Sequence, residues 1–571
     1  MPDERGTVLI LGAGINGAAL ARELVLGGIS VVVVDTGDLA SGATSYSSRL
    51  IHGGLRYLEY GEFDLVRESL AERTRLLRQA PHLVRPLKLY IPVSNRLGGL
   101  RRSVGRFLGW NARGAARPGP PRGLWLVRAG LALYDRYARD PLLPRHATCT
   151  VAEERDVRVA RDRYRWLCSY YDAQVMFPER FVVDLLDDAR HAAGATGATF
   201  RLFTYHRATL DGRTATVRAP GNELPVATFE PAAVVNATGA WVDRTLRQLN
   251  VNWRILMGGT KGSHLVTSHP RLRAALGGHG LYAEAEDGRP VFILPFGDSS
   301  LIGTTDVPFE GDPAEALASP KELEYLIDTV NAIVPDVYLG PDDVDLHYCG
   351  VRPLPSTSLS APAAVTRRHW LEEHTGGDVP LYSVIGGKLT TCRSLAEQAA
   401  GTLRARLGLP PAVVSRDRPL PGGTDYPADP VALEGEWRRL AATHGLSAAQ
   451  VRAIWALHGT RAATILNDGP VDESAKANLN GTDLPISFVR WVIRREWVEH
   501  LSDLVERRLM LLYDRRLSER CLRELATLMV ETGRLAADGV ESEVASTIER
   551  MEKRFGKRLV RHILADEPHE T

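Results

Sequence analysis

The feature that most constrains the fold is a glycine-rich turn close to the start of the chain. Gly12, Gly14 and Gly17 are spaced as G-x-G-x-x-G between an apolar run, Thr7–Leu11, and a helix-forming segment, Gly17–Leu26. In such a turn the first glycine permits the sharp reversal, the second lets backbone N–H groups approach a pyrophosphate, and the third lets the helix pack against the strand. The pattern predicts a strand, turn and helix of the Rossmann type.

The next strand supports the same interpretation. A β-branched run, Ser30–Val34, ends at Asp35, about 20 residues after the glycine turn. An acidic residue at this place accepts hydrogen bonds from ribose hydroxyls. The unit therefore predicts dinucleotide binding rather than a purely structural turn. FAD and NAD share this fingerprint, so it does not choose between them.

The segment Ser41–Leu58 favours a flavin. It reads SGATSYSSRLIHGGLRYL, a run rich in small, hydroxyl-bearing and glycine residues, and it directly follows the second strand. Such a segment can pass close under a flat ring and hydrogen-bond its polar edge. A nicotinamide enzyme would usually continue with another helix and strand.

Later patterns indicate a divided cofactor domain and a helical tail. The strand-like Ala233–Val235 leads into Asn236–Gly239, and the loop at 386–391 precedes the helix-like Cys392–Leu407. Between them, strand patterns occur at Thr214–Val217, Gly262–Val266, Val291–Leu294 and Leu301–Gly303. After a stretch rich in proline and glycine, helical spacing appears at Pro430–His444, Ala448–His458, Pro485–His500 and Ser518–Leu535.

We therefore expect an α/β fold, with a Rossmann-like FAD-binding domain, an inserted mixed β-sheet substrate domain and a C-terminal all-helical domain. The expected bounds are 1–408 for the discontinuous FAD-binding domain (1–90, 150–200, 230–245 and 345–408), 91–149 and 246–344 for the inserted substrate region, 409–427 for a linker, and 428–571 for the helical domain.

Composition excludes several classes of protein. The net charge of +1 over 571 residues gives no footprint for nucleic acid. The five cysteines are scattered and form no C-x-x-C pair, so we expect reduced thiols and no metal site. The sequence shows no signal-peptide pattern and no apolar run of spanning length, so we expect a cytoplasmic protein that can still lie on a membrane surface.

Six further motifs occur in the order that one family shows. They are Ser47–Glu59, Asn236–Gly239, Lys261–His264, Ile302–Asp306, Gly350–Leu354 and Gly386–Thr391. Together with the glycine turn, these motifs resemble those of the FAD-dependent, aerobic-type glycerol-3-phosphate dehydrogenases of the D-amino-acid-oxidase-like superfamily. The resemblance extends from the start of the chain to about residue 535.

The resemblance implies that FAD is the cofactor and identifies the residues that bind it. These are Gly12, Gly14, Asn16, Gly17, Asp35, Ser47, Ser48, His52, Gly53, Gly54, Leu55, Thr238, Gly239, Gly387, Lys388, Leu389 and Thr390. Whether the FAD is covalently attached stays open, because nothing in the sequence identifies a linkage residue.

The resemblance also implies a reaction, the oxidation of sn-glycerol 3-phosphate to dihydroxyacetone phosphate by hydride transfer to flavin N5, with electrons passed to a membrane quinone. Fixed cations suit the substrate phosphate, and the candidates are Arg56, Arg352, Arg367 and Lys388. His264 is the preferred base because imidazole titrates near the working pH, and Tyr57 is the second neutral candidate. Thr304 is expected to donate a hydrogen bond to substrate or flavin. Arg352 and Lys388 are counted among the catalytic residues as well.

One segment departs from the family. Where its members usually carry Y-x-D-x-x-x-D-D-A-R, this chain keeps Asp172 but has Met176 and Phe177 in place of the paired acids. Pro178 follows and should hold Phe177 in an extended conformation. The change puts the local geometry and the choice of substrate in doubt.

An acid-free stretch suggests a membrane contact. No aspartate or glutamate occurs from Arg73 to Tyr134, and arginines alternate with Trp, Phe and Leu over 96–130. This mixture is typical of a monotopic segment that binds an anionic surface, which would place the protein peripherally on the cytoplasmic face of the inner membrane. The alternatives are a solvated arginine-rich loop and, less readily, nucleic-acid binding.

Other functions stay open at this point. They are an oxidase that passes electrons to oxygen, a dehydrogenase of another small hydroxy acid or phosphorylated polyol, and an inactive flavin-bound interaction protein. The sequence does not fix the electron acceptor or the oligomeric state, although a homodimer is possible in principle.

Overall fold

The computed structural model describes residues 6–98, 122–356, 368–468 and 476–559. The chain divides into two compact units, Met1–Leu420 and Pro421–Thr571. The candidate cation Arg367 and the central part of the proposed membrane segment, 99–121, lie outside the described residues.

The strands of the described residues, in chain order, are β1 (Val8–Leu11), β2 (Val31–Val34), β3 (Leu50–Ile51), β4 (Val84–Val93), β5 (Ala147–Thr150), β6 (Trp166–Val175), β7 (Phe200–Phe203), β8 (Arg207–Asp211), β9 (Thr214–Arg218), β10 (Ala227–Phe229), β11 (Ala233–Asn236), β12 (Met257–Thr267), β13 (Gly280–Glu284), β14 (Pro290–Phe296), β15 (Ser299–Gly303), β16 (Val307–Pro308), β17 (Leu346–Pro355), β18 (Trp370–His374) and β19 (Leu381–Ile385).

The α-helices of the same residues are α1 (Ile15–Leu26), α2 (Phe63–Gln79), α3 (Leu124–Ala138), α4 (Pro178–Thr196), α5 (Val242–Gln248), α6 (Pro270–Leu276), α7 (Pro320–Ile333), α8 (Cys392–Arg406), α9 (Pro430–His444), α10 (Ala448–His458), α11 (Ala462–Asn467), α12 (Ile486–Arg495), α13 (Leu501–Asp503), α14 (Glu519–Glu531) and α15 (Val540–Phe555).

The first sheet is the dinucleotide-type sheet that the sequence predicts. Its strand order is β18-β19-β11-β1-β2-β7, and all neighbours are parallel except β18 and β19. One face packs with a small sheet, β10-β9-β8, through residues such as Leu9 and Val32 on one side and Val217 on the other. Helix α1 packs against α4 and α8. Because β1 and β11 are far apart in sequence, the sheet is assembled from separate parts of the chain.

The second sheet is large and mixed. It runs β16-β12-β15-β14-β13-β4-β6-β3, with β17 paired to β12 and β5 to β6. Most neighbours are antiparallel, but β13 and β4 are parallel. Apolar side chains of β12, β13, β14 and β15 share a core with α6 and α7, among them Leu265, Leu272 and Val330. This core fixes the position of β12, which carries His264.

The second unit, taken by itself, is helical in its described part. Its helices α9 and α10 have the bounds that the sequence predicts, because Asp429 and Ser447 cap their N-termini with side-chain oxygens. Helix α12 ends at Arg495, five residues before the predicted end at His500. Trp497 adopts a positive φ of 50°, which a helix does not allow.

The fold class predicted from the sequence is confirmed by these elements. The predicted first helix begins earlier than expected, at Ile15 rather than Gly17, so that Gly14 becomes its N-cap. Among the described helices, none combines the length and apolar character needed to cross a lipid bilayer.

Gly17→Ala tests the close packing of the glycine turn. A Cβ at Gly17 would lie 1.9 Å from the Gly12 carbonyl oxygen, so the backbone of the turn must move. We expect a loss of about 1–3 kcal/mol in the free energy of unfolding and little bound dinucleotide. Thermal unfolding and cofactor absorbance measure these two effects.

The control is Gly401→Ala in α8, where a Cβ meets nothing within 4 Å. This substitution should stabilise the helix by about 0.5–1 kcal/mol. An unchanged Gly17 variant would contradict this account of the turn.

Candidate functional site

The candidate site begins at the carboxyl edge of the parallel sheet. Gly12 has a φ of 104°, and a Cβ there would lie 2.7 Å from the Ala237 carbonyl oxygen, so the turn presses directly against the end of β11. Asp35 at the end of β2 accepts a hydrogen bond from the Ala13 N–H at 2.7 Å. These contacts bring the glycine turn, the acidic residue and the Asn236–Gly239 motif together.

The loop after β19 closes the same end of the sheet. A Cβ at Gly387 would lie 2.8 Å from Asn16 Nδ2, which places this loop against the start of α1. The Thr390 hydroxyl accepts a hydrogen bond from the His52 N–H at 3.1 Å. Residues predicted from three distant motifs therefore lie next to one another.

The region fits a dinucleotide with a pyrophosphate. Gly14 caps α1 without a side-chain hydrogen bond, and the first turn of this helix has no acidic residue. A Cβ at Gly14 would have only the Thr44 hydroxyl near it, at 3.5 Å, whereas Gly12 and Gly17 are tightly packed. The Ile15 N–H donates to the Thr44 hydroxyl at 3.1 Å, and the partial positive charge of the helix N-terminus, with no acidic side chain beside it, suits an anionic pyrophosphate.

A buried network holds the His52–Gly54 loop. The Gly53 N–H donates to the Tyr134 hydroxyl at 2.9 Å and to Asp172 at 3.3 Å. Arg73 pairs with the same carboxylate at 3.0 Å. Burial raises the pKa of Asp172, while Arg73 and the hydrogen bonds oppose that shift. Asp172, the acid that survives in the altered segment, therefore anchors the backbone predicted to lie at the flavin.

His264 lies on β12, buried and held on two sides. Its Nε2 is 2.8 Å from the Ser48 hydroxyl, and its ring stacks on Tyr348 with centroids 4.9 Å apart. Burial, followed by the positive charges of Arg352 and Arg49, lowers the pKa of His264 to about 3. The imidazole is thus neutral at physiological pH, but it is a weaker base than the sequence argument assumed, because burial and the two arginines disfavour its protonated form.

Arg352 is fixed on the same face of the sheet. It pairs across the strands with Thr260, and a Cβ at Gly262 would lie 2.2 Å from its Nη2 atom, so the guanidinium lies over this glycine. It donates to the carboxylate of Asp306 at 3.0 Å and to the Thr305 carbonyl at 2.8 Å. Thr260, Gly262 and His264 alternate along β12 and therefore point to one side. The structure thus brings the arginine and the histidine to one surface.

Tyr57, Lys388 and Thr304 take up positions that the sequence does not specify. The Lys388 ammonium lies 4.3 Å from the Tyr57 ring centroid and donates to the Ser69 hydroxyl at 3.2 Å. The Thr304 hydroxyl donates to the Thr305 carbonyl at 3.1 Å and accepts from Arg352 at 3.0 Å. In this structure Thr304 therefore supports the arginine.

Glu322 is a residue of the site that sequence reasoning missed. One oxygen of its carboxylate accepts from Ser263 at 2.9 Å and Thr305 at 2.7 Å. The other pairs with Lys261 at 2.7 Å and accepts from the Ser319 hydroxyl at 2.9 Å. Glu322 therefore ties the start of α7 to β12 and to the loop after β15. Glu322 ends the segment S-P-K-E, whose Ser319 and Glu322 form a capping box. This pattern predicts the start of a helix, but it does not predict the contacts of Glu322 with β12.

The altered segment contains a second missed pair. Glu179 forms a two-point ion pair with Arg49, with N–O distances of 2.8 and 3.1 Å, and both side chains are fully buried. Phe177 has φ −133° and ψ 88°, which lies outside the α region that Pro178 disfavours but short of the fully extended conformation expected. The segment thus still supplies a carboxylate to Arg49, the residue that follows Ser48 in the chain, although Met176 and Phe177 replace the acids of the family pattern.

Comparison with known proteins agrees with this geometry. A family model described as FAD dependent oxidoreductase matches residues 7–393, and one described as the C-terminal domain of alpha-glycerophosphate oxidase matches residues 413–537. Glycerol-3-phosphate dehydrogenase from Synechocystis is 35% identical over 80% of each chain. D-erythritol 1-phosphate dehydrogenase from Brucella abortus is 32% identical over 88% of this chain and 93% of the relative.

Two further comparisons, one with a sequence and one with a solved structure, cover most of the chain. The aerobic glycerol-3-phosphate dehydrogenase of Escherichia coli is 32% identical over 88% of this chain and 94% of the relative. The crystal structure of a glycerol-3-phosphate dehydrogenase from Bacillus halodurans complexed with FAD has a TM-score of 0.69 at 20% identity, covering 96% of this chain and 94% of that chain. This last similarity is one of fold.

Glu322→Gln tests the network beneath the site. Burial alone would raise the pKa of this carboxyl, but hydrogen bonds from Lys261, Thr305 and Ser319 lower the pKa of Glu322 to about 2, from 4.5 in an unfolded chain. The ionised Glu322 carboxylate stabilises the folded state fully above pH 4.5, and this stabilisation is lost as the pH falls towards 2. The variant leaves Lys261 without its charge partner, so we expect a loss of about 3 kcal/mol at neutral pH.

The free energy of unfolding, measured against pH, should fall more steeply in the wild type than in Glu322→Gln between pH 4.5 and 2. Glu324→Gln, an exposed position on the same helix, is the matched control and should behave as the wild type. Parallel pH curves for wild type and Glu322→Gln would show that the network contributes no stability.

Proposed function

Because the chain belongs to the FAD-dependent glycerol-3-phosphate dehydrogenase family and is an FAD-dependent oxidoreductase, we propose that it oxidises sn-glycerol 3-phosphate to dihydroxyacetone phosphate and passes the electrons to a membrane quinone. The observation that carries the proposal is the pairing of a fixed arginine with a neutral histidine. Arg352 and His264 lie on one face of β12 and β17, and the loops at the FAD edge approach the same region through Ser48.

FAD, when bound, supplies the acceptor N5 for the hydride that leaves the substrate carbon. In the proposal His264 takes the hydroxyl proton, because its imidazole is neutral and Ser48 orients the ring. The negative phosphate beside Arg352 offsets part of the positive field on His264. The imidazole should then accept a proton more readily with substrate bound than without it, although its burial remains.

In the proposal the phosphate is bound by cations. Arg352 is already held by Asp306 and the Thr305 carbonyl, so its guanidinium loses little freedom when an anion arrives. Lys388 is held by the Tyr57 ring and the Ser69 hydroxyl. Arg56 and Arg367 complete the proposed set of cations.

We also propose peripheral attachment to the cytoplasmic face of the inner membrane through residues 96–130. Two described residues at the ends of that segment support it. Leu97 is 68% exposed and Trp125 is 53% exposed, and the Arg128 guanidinium lies 5.2 Å from the Trp125 ring centroid. Exposed Trp and Leu beside arginine are typical of residues that enter the interfacial region of a bilayer.

A second candidate substrate is D-erythritol 1-phosphate. It is favoured by the relative from Brucella abortus, whose identity of 32% is close to that of the glycerol-3-phosphate dehydrogenases. Both substrates carry a phosphate next to a polyol chain, so the same arginine and histidine would serve either one. Oxygen as acceptor is the alternative to quinone.

The first test is reduction of the purified, flavin-loaded protein without oxygen. Glycerol 3-phosphate should bleach the flavin absorbance band at about 450 nm within seconds, since hydride transfer reduces the isoalloxazine ring. D-erythritol 1-phosphate is added in a parallel experiment. The compound that reduces the flavin faster is assigned as the physiological substrate. Flavin that stays oxidised with both compounds would reject the proposed reaction. Release of peroxide in air at the rate of substrate oxidation would identify an oxidase instead.

His264→Gln tests the base. We expect kcat to fall by about 10²–10⁴-fold, with KM and bound flavin little changed, because only proton removal is lost. His191→Gln in α4 is the control, since that side chain is 62% exposed. If His264→Gln keeps kcat near the wild-type value, the base is another group, and Tyr57→Phe becomes the next variant.

A further inference from the structure

The chain that runs beside β12 contains a β-bulge at residues 304–306. His264 of β12 pairs with Gly303, the last residue of β15. Lys261 of β12 pairs with Val307, the first residue of β16. Between these two pairs β12 has two residues, whereas the facing chain has three. One extra residue on one side of an antiparallel pair interrupts the ladder and turns the local side chains in new directions, which is the definition of a bulge.

The bulge supplies three hydrogen-bond acceptors to one guanidinium. Arg352 donates to the Thr304 hydroxyl at 3.0 Å and to the Thr305 carbonyl at 2.8 Å. It also donates to the Asp306 carboxylate at 3.0 Å, while the Thr260 hydroxyl of β12 accepts a longer bond at 3.3 Å. Three consecutive residues therefore hold the arginine, and its position depends on the position of the bulge.

The side chain of Thr305 joins the bulge to β12. It is buried, and its hydroxyl accepts a hydrogen bond from the Ser263 N–H at 2.9 Å and donates one to the Glu322 carboxylate at 2.7 Å. The hydroxyl thus serves as the acceptor that a backbone carbonyl provides in a regular ladder. The backbone bond from the Thr305 N–H to the Ser263 carbonyl is long, at 3.4 Å. Because a buried N–H without an acceptor costs free energy, the hydroxyl is the contact that keeps the bulge against the strand.

Glu322 is a firmly held acceptor for this hydroxyl. Its other carboxylate oxygen pairs with Lys261 at 2.7 Å and accepts from the Ser319 hydroxyl at 2.9 Å. The helix that begins there, α7, shares an apolar core with the second sheet through residues such as Leu326 and Val330. The bulge is therefore tied through Glu322 to a helix that the core holds in place.

The backbone of β12 limits the movement of the bulge on its other side. A Cβ at Gly262 would lie 2.2 Å from the Arg352 Nη2 atom and 2.5 Å from the Thr304 hydroxyl oxygen. The arginine and the bulge thus already lie against the strand and cannot approach it further. Only movement away from β12 is open to them, and the Thr305 hydroxyl opposes that movement.

We propose that Thr305 and Glu322 are positioning residues, whose buried hydrogen bond holds the bulge and, through it, holds Arg352 where the substrate phosphate binds. This inference rests on the proposed function, in which Arg352 binds the phosphate, and it adds the residues that prepare the arginine for that role. His264 is held separately, because Gly303 stays paired with it in the sheet and Ser48 contacts its ring. The relay therefore acts on substrate affinity more than on the rate of flavin reduction.

The test removes the Thr305 hydroxyl. Thr305→Val replaces it with a methyl group, and Thr305→Ser keeps it and loses only the original methyl. Thr305→Ala also lacks the hydroxyl but places no methyl group against Glu322, so that poor folding of one variant leaves the other informative. Thr329→Val is the matched control, a buried threonine of α7 whose hydroxyl donates to the Tyr325 carbonyl at 2.7 Å.

Two measurements are made on each FAD-loaded protein, at a temperature well below its unfolding transition. Calorimetric titration gives the Kd of inorganic phosphate. Rapid mixing without oxygen, with glycerol 3-phosphate or D-erythritol 1-phosphate, whichever reduces the wild type faster, gives the substrate Kd and the limiting rate of flavin reduction. We expect both dissociation constants to rise at least about tenfold in Thr305→Val and Thr305→Ala, with the limiting rate within about threefold of wild type. Thr305→Ser and Thr329→Val should stay within about twofold of wild type in all three quantities.

Wild-type affinities in Thr305→Val and Thr305→Ala, in a protein that the substrate does reduce, would overturn the positioning role and leave the proposed function standing. An equal loss of affinity in Thr329→Val would overturn it too, because any buried threonine of this region would then have the same effect. Loss in Thr305→Ser as large as in Thr305→Val would show that the hydroxyl is not the cause. A wild type that neither binds phosphate nor is reduced by either substrate would instead reject the proposed function, and with it the role of Arg352.

Discussion

The rest of the structure depends on the contact between the glycine turn and the end of β11. The turn can press against Ala237 because Gly12 carries no Cβ, and α1 can pack on the turn because Gly17 carries none. These two close approaches place the start of α1 at the edge of the parallel sheet, where Asp35 and the Asn236–Gly239 motif also end. The position of the proposed FAD site therefore depends on close packing of the backbone.

Buried charges then position the loops that surround this edge. Arg73 with Asp172 holds the backbone of Gly53, and Arg49 with Glu179 supports the segment that carries Ser48. Removing an ion pair from water is costly, and such pairs are stable only when hydrogen bonds satisfy both partners. Here the cost is met by several hydrogen bonds for each pair. These pairs tie the loops to the strands and helices around them, which would suit the proposed hydride transfer, since that step needs an aligned donor and acceptor.

The altered segment 176–179 illustrates how a motif can change while its physical role persists. The acids of the family pattern are replaced by Met176 and Phe177, but Glu179 reaches Arg49 from the first turn of α4. Burial is the main reason why the pKa of His264 is low, and the positive charges of Arg352 and Arg49 lower it further, so that His264 is kept neutral. The electrostatics around His264 thus depend on residues from separate motifs.

The sequence by itself determined the elements whose signals are local. The glycine spacing, the β-branched strands and the capping residues Asp429 and Ser447 act within a few residues of themselves, so the FAD fold and the bounds of α9 and α10 could be predicted. The prediction from local periodicity made α12 too long, because it gives no sign of the positive φ at Trp497, which the helix cannot include.

Only the tertiary structure decided the contacts between distant segments. Glu322 reaches Lys261 and Ser263 across some sixty positions of sequence, and Arg352 meets Asp306 only because β17 and β12 are paired. Such features depend on which surfaces meet after folding, and periodicity and spacing carry information about neighbours along the chain rather than across it.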